Sequence, residues 1–250
     1  MSITRRALAL STIAAAAVLA ACGGGSSSSG GETGQYEREG DRALGSVNAP
    51  VTLIEYASTS CPHCADFHDE VYPTIEEYID NGQVRFVFRE MLTGQPQLAQ
   101  AGFMLARCAP DDRYFDVIDL LMDQQQAIFQ AAGSPRGARQ EFQNIAATVG
   151  ISADEFETCI SDPDLRQAVL DANQAAYDDG ITGTPRFIIN GHLLDSARVG
   201  GELVYNWNDE PLMVNGEMVP ARVDAATFEL ILNHFVAEAG GGTDAPAEEE

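Results

Sequence analysis

Apolar and polar positions along this chain follow two periods, and the switches between them mark out its elements. Residues 51–56, Val-Thr-Leu-Ile-Glu-Tyr, form an apolar, β-branched run that predicts a buried strand. Phe67, Val71, Ile75 and Ile79 then recur at helical spacing, with Pro73 expected to kink that helix because proline lacks a backbone donor. Residues 83–88 alternate as a strand does. From 96 to 179 the pattern is helical and predicts four or five helices. One carries the stripe Tyr114, Phe115, Val117, Ile118, Leu121 and Met122, and Gly133 and Gly137 mark a break. Ser152 with Glu155 reads as a capping box, and Asp162-Pro163 as another helix start. Strand character resumes at 186–189. Asn190-Gly191 and Asn215-Gly216, each between apolar runs, read as hairpin turns. Residues 224–239 close the chain as an amphipathic helix through Phe228, Ile231, Leu232 and Phe235. A helical segment thus interrupts an α/β domain.

The chain ends read differently. Arg5 and Arg6 precede an alanine-rich apolar stretch, so residues 1–21 are expected to be a signal peptide. Leu19-Ala20-Ala21-Cys22 resembles a bacterial lipobox, which implies a lipidated Cys22 at the mature N-terminus. Thr4-Arg5-Arg6 fits a twin-arginine signal or an ordinary basic n-region, leaving the export route open. The segment 22–44 is expected to be the lipidated terminus and a flexible Gly/Ser linker, and 240–250 a disordered acidic tail. The formal net charge of -24 disfavours nucleic acid as a partner. All of this points to a bacterial cell envelope, with the domain periplasm-facing and lipid-anchored, to the inner or the outer membrane.

Setting Cys22 aside leaves Cys61, Cys64, Cys108 and Cys159, an even number in a chain sent to an oxidising compartment. Two pairs are the natural division. Cys108 and Cys159 fall on separate predicted helices and either form a structural disulfide or remain two buried thiols. Cys61-Pro62-His63-Cys64 places two thiols where a strand feeds a helix. The helix N-terminus favours a thiolate at Cys61, and a protonated His63 would add positive charge near the same sulfur. Such a pair can close and reopen a disulfide.

These residues resemble the DsbA-like thiol:disulfide oxidoreductases. The resemblance rests on the CPHC dithiol, on Glu55 six residues before it, and on Gly183-Thr184-Pro185-Arg186-Phe187, which is similar to that family's cis-proline loop. It covers residues 45–189 best. It implies an α/β thioredoxin fold with an inserted all-helical subdomain: 45–95 the N-terminal part, 96–180 the helical insertion, 181–239 the C-terminal part. The stretch 196–211 exceeds the family pattern and is expected to be an extra hairpin. The resemblance implies Cys61 as the attacked sulfur, Cys64 as the resolving thiol, Glu55 as a buried proton acceptor beneath the pair, and Thr184 with a cis Pro185 as the substrate-facing loop.

The expected function is disulfide formation in exported proteins, with a membrane redox partner recycling the dithiol and no cofactor. Thr184 before the proline also occurs in isomerase-like relatives, so a disulfide isomerase or reductase of the same fold is the alternative. Cys61, Cys64 and His68 could be read as zinc ligands, giving a metal-binding module, but a structural zinc site wants four ligands and no metal is expected. A non-catalytic interaction lipoprotein is a further alternative. With about 35 residues ahead of the first strand there is little room for a dimerisation module, so a monomer is expected.

Overall fold

The computed structural model describes residues 34–241. The expected signal peptide, Cys22, residues 22–33 of the linker and most of the acidic tail lie outside them. Strand β1 (Arg42–Leu44) comes first, followed by β2 (Val51–Ala57), α1 (Pro62–Glu70), α2 (Tyr72–Asp80) and β3 (Val84–Glu90). Every residue of β2 is buried, as a central strand covered on both faces requires. β2 and β3 pair in parallel from Val51↔Val84 to Ala57↔Glu90. Pro73 does not merely bend one helix: the backbone breaks at Val71 (φ -116, ψ -41), and the proline sits in the first turn of α2. There its missing N–H costs nothing.

Six α-helices follow among the described residues, more than the pattern alone separated: α3 (Pro96–Cys108), α4 (Tyr114–Asp123), α5 (Gln125–Ala132), α6 (Arg139–Thr148), α7 (Ala153–Ser161) and α8 (Pro163–Asp178). The apolar run through 114–132 splits at Gln124 into α4 and α5. Ser152 and Glu155 make the full capping box at the start of α7. Cys108, ending α3, is joined to Cys159 on α7 with Cα atoms 6.0 Å apart. Closing a separation of 51 residues stabilises the fold by about 4 kcal/mol in the chain-entropy treatment. The Cys108→Ala, Cys159→Ala double variant is therefore expected to unfold at distinctly lower denaturant. An unchanged midpoint would show that the bridge contributes nothing.

The chain then returns to the sheet as β4 (Arg186–Ile189) and β5 (His192–Val199), and continues through β6 (Glu202–Trp207) and β7 (Glu210–Pro211). β4 pairs antiparallel with β2, giving the order β1-β3-β2-β4-β5-β6-β7. The segment 196–211 lengthens β5 and adds β6 and β7 to the sheet edge, β5 and β6 pairing antiparallel. A small hairpin, β8 (Met213–Val214) with β9 (Glu217–Met218), precedes α9 (Ala225–Gly241). Asn190 and Gly191 take φ 47 and 84, Asn215 and Gly216 φ 53 and 84. Those left-handed pairs are what a two-residue hairpin turn demands. The arrangement is the thioredoxin fold with a helical insertion. Among the described residues no helix is long and apolar enough to cross a membrane.

The linker expected over 22–44 is corrected at its end. Residues 36–44 belong to the domain, because β1 pairs with β3, Glu37 takes Arg85 at 2.7 Å and Asp41 takes the buried Arg89 at 2.7 Å. Arg89 also donates to the Tyr56 hydroxyl (2.7 Å), which donates to Asp179 (2.5 Å). At the other end α9 runs to Gly241, into the segment expected as tail. The first described residues lie at the other end of the sheet. Gly34 and Tyr36 lie with Ala49, Thr52 and Asn190 around one cavity, and a Cβ at Gly191 would come within 2.7 Å of the Tyr36 ring. That is the Val51 end of β2, about 20 Å from its Ala57 end.

Candidate active site

β2 delivers the chain to Ser58, Thr59 and Ser60, all buried, and then to Cys61, the N-cap of α1. Pro62 takes the first helical position, where its fixed φ suits the helix. The turn is held from behind. The Ser60 hydroxyl donates to the Thr93 carbonyl (2.7 Å) and accepts from the Gln95 N–H (3.0 Å), tying the dithiol loop to the segment after β3. The Cys61 carbonyl accepts from the N–H groups of Cys64 (3.0 Å) and Ala65 (3.2 Å), so the helix starts at the cysteine itself.

Both Cys61 and Cys64 are thiols here, the first 7% exposed, the second fully buried. Hydrogen bonding with the Cys64 thiol lowers the Cys61 thiol from 9.0 to about 5; burial opposes this, while Thr184 and the N–H groups of Cys64 and His63 reinforce it. Cys64 moves the other way. Burial pushes it well above the usual thiol range, and its bond to Cys61 and the Glu55 charge push further. One sulfur is thus an anion at neutral pH and its neighbour a proton carrier. The His63 side chain is 83% exposed with Nδ1 3.6 Å from Asp66, and the His63 N–H is among the groups that lower Cys61.

The Thr184-Pro185 peptide is cis, and the Thr184 carbonyl accepts from the Cys61 thiol at 3.4 Å. The Thr184 hydroxyl shares a 2.5 Å hydrogen bond with that of Thr93. Glu55, at the middle of β2, is fully buried. Its Oε2 meets Nε2 of His68 at 3.1 Å, while Oε1 has no hydrogen-bond partner among the described residues. His68 is itself buried, and its Nδ1 stands 3.7 Å from Asp119 on α4. Burial alone would lower the imidazole, but the Glu55 charge and Asp119 overcome it and raise His68 to about 9.

The structure brings Cys61, Pro62, His63, Cys64, Thr184 and Pro185 together where β2 ends, with Glu55 beneath them in the strand, and leaves Cys108–Cys159 in the insertion. Three contributors escaped the sequence reading. His68, readable from the sequence as a metal ligand, instead lies on the buried stripe four residues after Cys64. Gln125, 2% exposed on α5, donates to the carbonyls of Thr59 (3.0 Å) and Cys61 (3.1 Å), and nothing in its local sequence announces that. Thr93 was the third. Among the described residues no three His, Cys, Asp or Glu side chains are placed to hold a metal, and Nε2 of His68 is engaged by Glu55.

Fold and site together define a thioredoxin-fold dithiol protein with one acidic and one shielded sulfur. The family model described as Thioredoxin matches residues 37–202, and the chain belongs to that family. Over 155 residues it is 28% identical to the Rickettsia bellii protein named "Putative protein-disulfide oxidoreductase", covering 61% of this chain and 58% of that one. It is 31% identical over 100 residues to Disulfide bond formation protein D of Bacillus subtilis, covering 39% and 42%. The matches thus span only part of the curated relatives' length. The crystal structure of Wolbachia pipientis alpha-DsbA1 shares the fold, with a TM-score of 0.65, 24% identity, and coverage of 84% of this chain and 98% of that one.

Proposed function

We propose that this protein is a thiol:disulfide oxidoreductase that forms disulfides in exported proteins. In the oxidised state a substrate thiolate attacks Cys61 Sγ, the Cys61–Cys64 bond breaks, and Cys64 leaves and takes a proton. A second substrate thiolate then attacks the substrate sulfur of the mixed disulfide and expels Cys61. The substrate has lost two electrons and the enzyme holds a thiolate and a thiol. Recycling by a membrane redox partner reverses the sequence, with Glu55 accepting the Cys64 proton. Thr184 and the cis Pro185 line the groove beside Cys61 and present backbone groups to an extended substrate segment. The bridge between Cys108 and Cys159 is structural and takes no part.

What carries this direction is Cys61 at the N-cap of α1 and beside the Thr184–Pro185 loop, where the Cys64 thiol and nearby N–H groups lower its thiol to about 5. Stabilising the thiolate stabilises the reduced protein, which makes the disulfide an oxidant. The names borne by the Rickettsia and Bacillus relatives support the same reading. The lipobox-like Cys22 and the signal-like stretch before it support a domain on the outer side of a bacterial membrane, held there by lipid; a monomeric state is part of the same proposal.

Equilibration of the Cys61–Cys64 pair with glutathione buffers tests the direction. A pair more oxidising than the glutathione couple is expected. One well on the reducing side would favour the isomerase or reductase alternative.

A further inference from the structure

We infer that His68, facing Asp119 across 3.7 Å, is the positioning residue that supplies the counter-charge for Glu55 and so keeps a working base beneath the dithiol. The inference rests on the oxidoreductase reading and deepens it. A carboxylate with no exposure and no cationic partner takes up a proton rather than keep its charge. Among the described residues Glu55 has no lysine or arginine as a hydrogen-bond or ion-pair partner, and its one such partner is the His68 imidazole at 3.1 Å.

The imidazole is set in place by packing as well as by charge. It stacks on Tyr72 (centroids 4.8 Å apart, planes at 18°) and meets Phe67 (5.8 Å) and Phe88 (6.2 Å) edge-on. Nε2 therefore faces the buried carboxylate, and Nδ1 the half-exposed Asp119 at 3.7 Å. The titratable groups around His68 are Glu55 from β2, Asp119 from α4, and Tyr72 and Glu76 from α2. Acids on two sides favour the imidazolium. Asp119 belongs to the helical insertion, so the insertion contributes to the electrostatics under the dithiol.

The step affected is closure of the pair. Reduced protein reacts with oxidised glutathione: the Cys61 thiolate attacks one sulfur and releases a glutathione thiolate. Cys64 then gives its proton to Glu55 and attacks Cys61 Sγ, releasing the second glutathione. With Glu55 already protonated, the Cys64 proton must leave to solvent.

The experiment compares wild type with His68→Phe, His68→Gln, His68→Lys and Asp119→Asn. It uses infrared spectroscopy for the protonated-carboxyl band and quenched-flow mass spectrometry for decay of the mixed disulfide. His68→Phe and His68→Gln are expected to show a protonated carboxyl at pH 7 that vanishes when Glu55→Gln is added. Closure should slow about tenfold at pH 7 and become first-order in hydroxide. His68→Lys, retaining a cation, should restore both. Asp119→Asn, a surface change that leaves the fold intact, should give a weaker effect of the same sign. Folded His68 variants with no new carboxyl band and a wild-type pH profile would overturn the inference. Should wild type itself fail to exchange with glutathione, the oxidoreductase reading falls, while the infrared result still decides the role of His68.

Discussion

The reduced protein is expected to unfold at higher temperature than the oxidised protein at pH 8, and the order is expected to invert by pH 5. Cys61 is lowered to about 5 in the fold and returns to an ordinary thiol, 9.0, on unfolding. A depressed value contributes stability that is complete above the unfolded value and lost as pH falls through the folded one. At pH 7 this favours the folded, reduced state by roughly 3 kcal/mol. The disulfide competes: closing so short a loop restricts the unfolded chain and stabilises the oxidised fold by about 2 kcal/mol. The two terms balance at roughly pH 6.5. Cys64, raised well above the thiol range, contributes nothing to this window. His68, raised to about 9, adds stability that is complete below its unfolded value and fades as pH rises through 9, but it does so in both redox forms and cancels from the difference. Calorimetry of both forms across pH 5 to 8 checks the crossing. A disulfide that stabilises the protein at every pH would contradict the acidity of Cys61.

Replacing Cys61 by serine is expected to remove thiol exchange down to the uncatalysed background, because a hydroxyl cannot form or leave a disulfide. Cys64→Ala should do something different. Cys61 remains a thiolate at the N-cap of α1, attacks a disulfide and then has no resolving neighbour, so the mixed disulfide accumulates. Mass spectrometry after mixing with a disulfide-bearing peptide should show a one-to-one adduct for Cys64→Ala and none for Cys61→Ser. Equal adduct yields from the two variants would mean that the roles of the two sulfurs are not divided as their surroundings imply.

The sequence made the centre of this molecule readable because its signals there are local. A seven-residue buried strand, a proline after the first cysteine and an apolar stripe need only near neighbours to be interpreted. The fold class followed from the dithiol and the Gly-Thr-Pro loop together. What was lost depends on residues far apart in the chain. β1 has three residues and no apolar pattern of its own; the ordering of 36–44 comes from Arg85 and Arg89 on β3, which no local reading connects to Glu37 and Asp41. His68 was undervalued for the same reason, since one of its acids is on β2 and the other on α4. β6 and β7 are joined by Asn208-Asp209, both at positive φ, a turn with no glycine to announce it.

The position of Gly34 has a practical meaning. It stands beside the β4–β5 turn, at the end of the sheet away from the cysteines, with the full length of β2 between. A fluorophore, affinity handle or solid support attached at Gly34 itself therefore sits at the opposite pole from Cys61. Large folded proteins can then be offered to the immobilised domain without steric interference from the attachment.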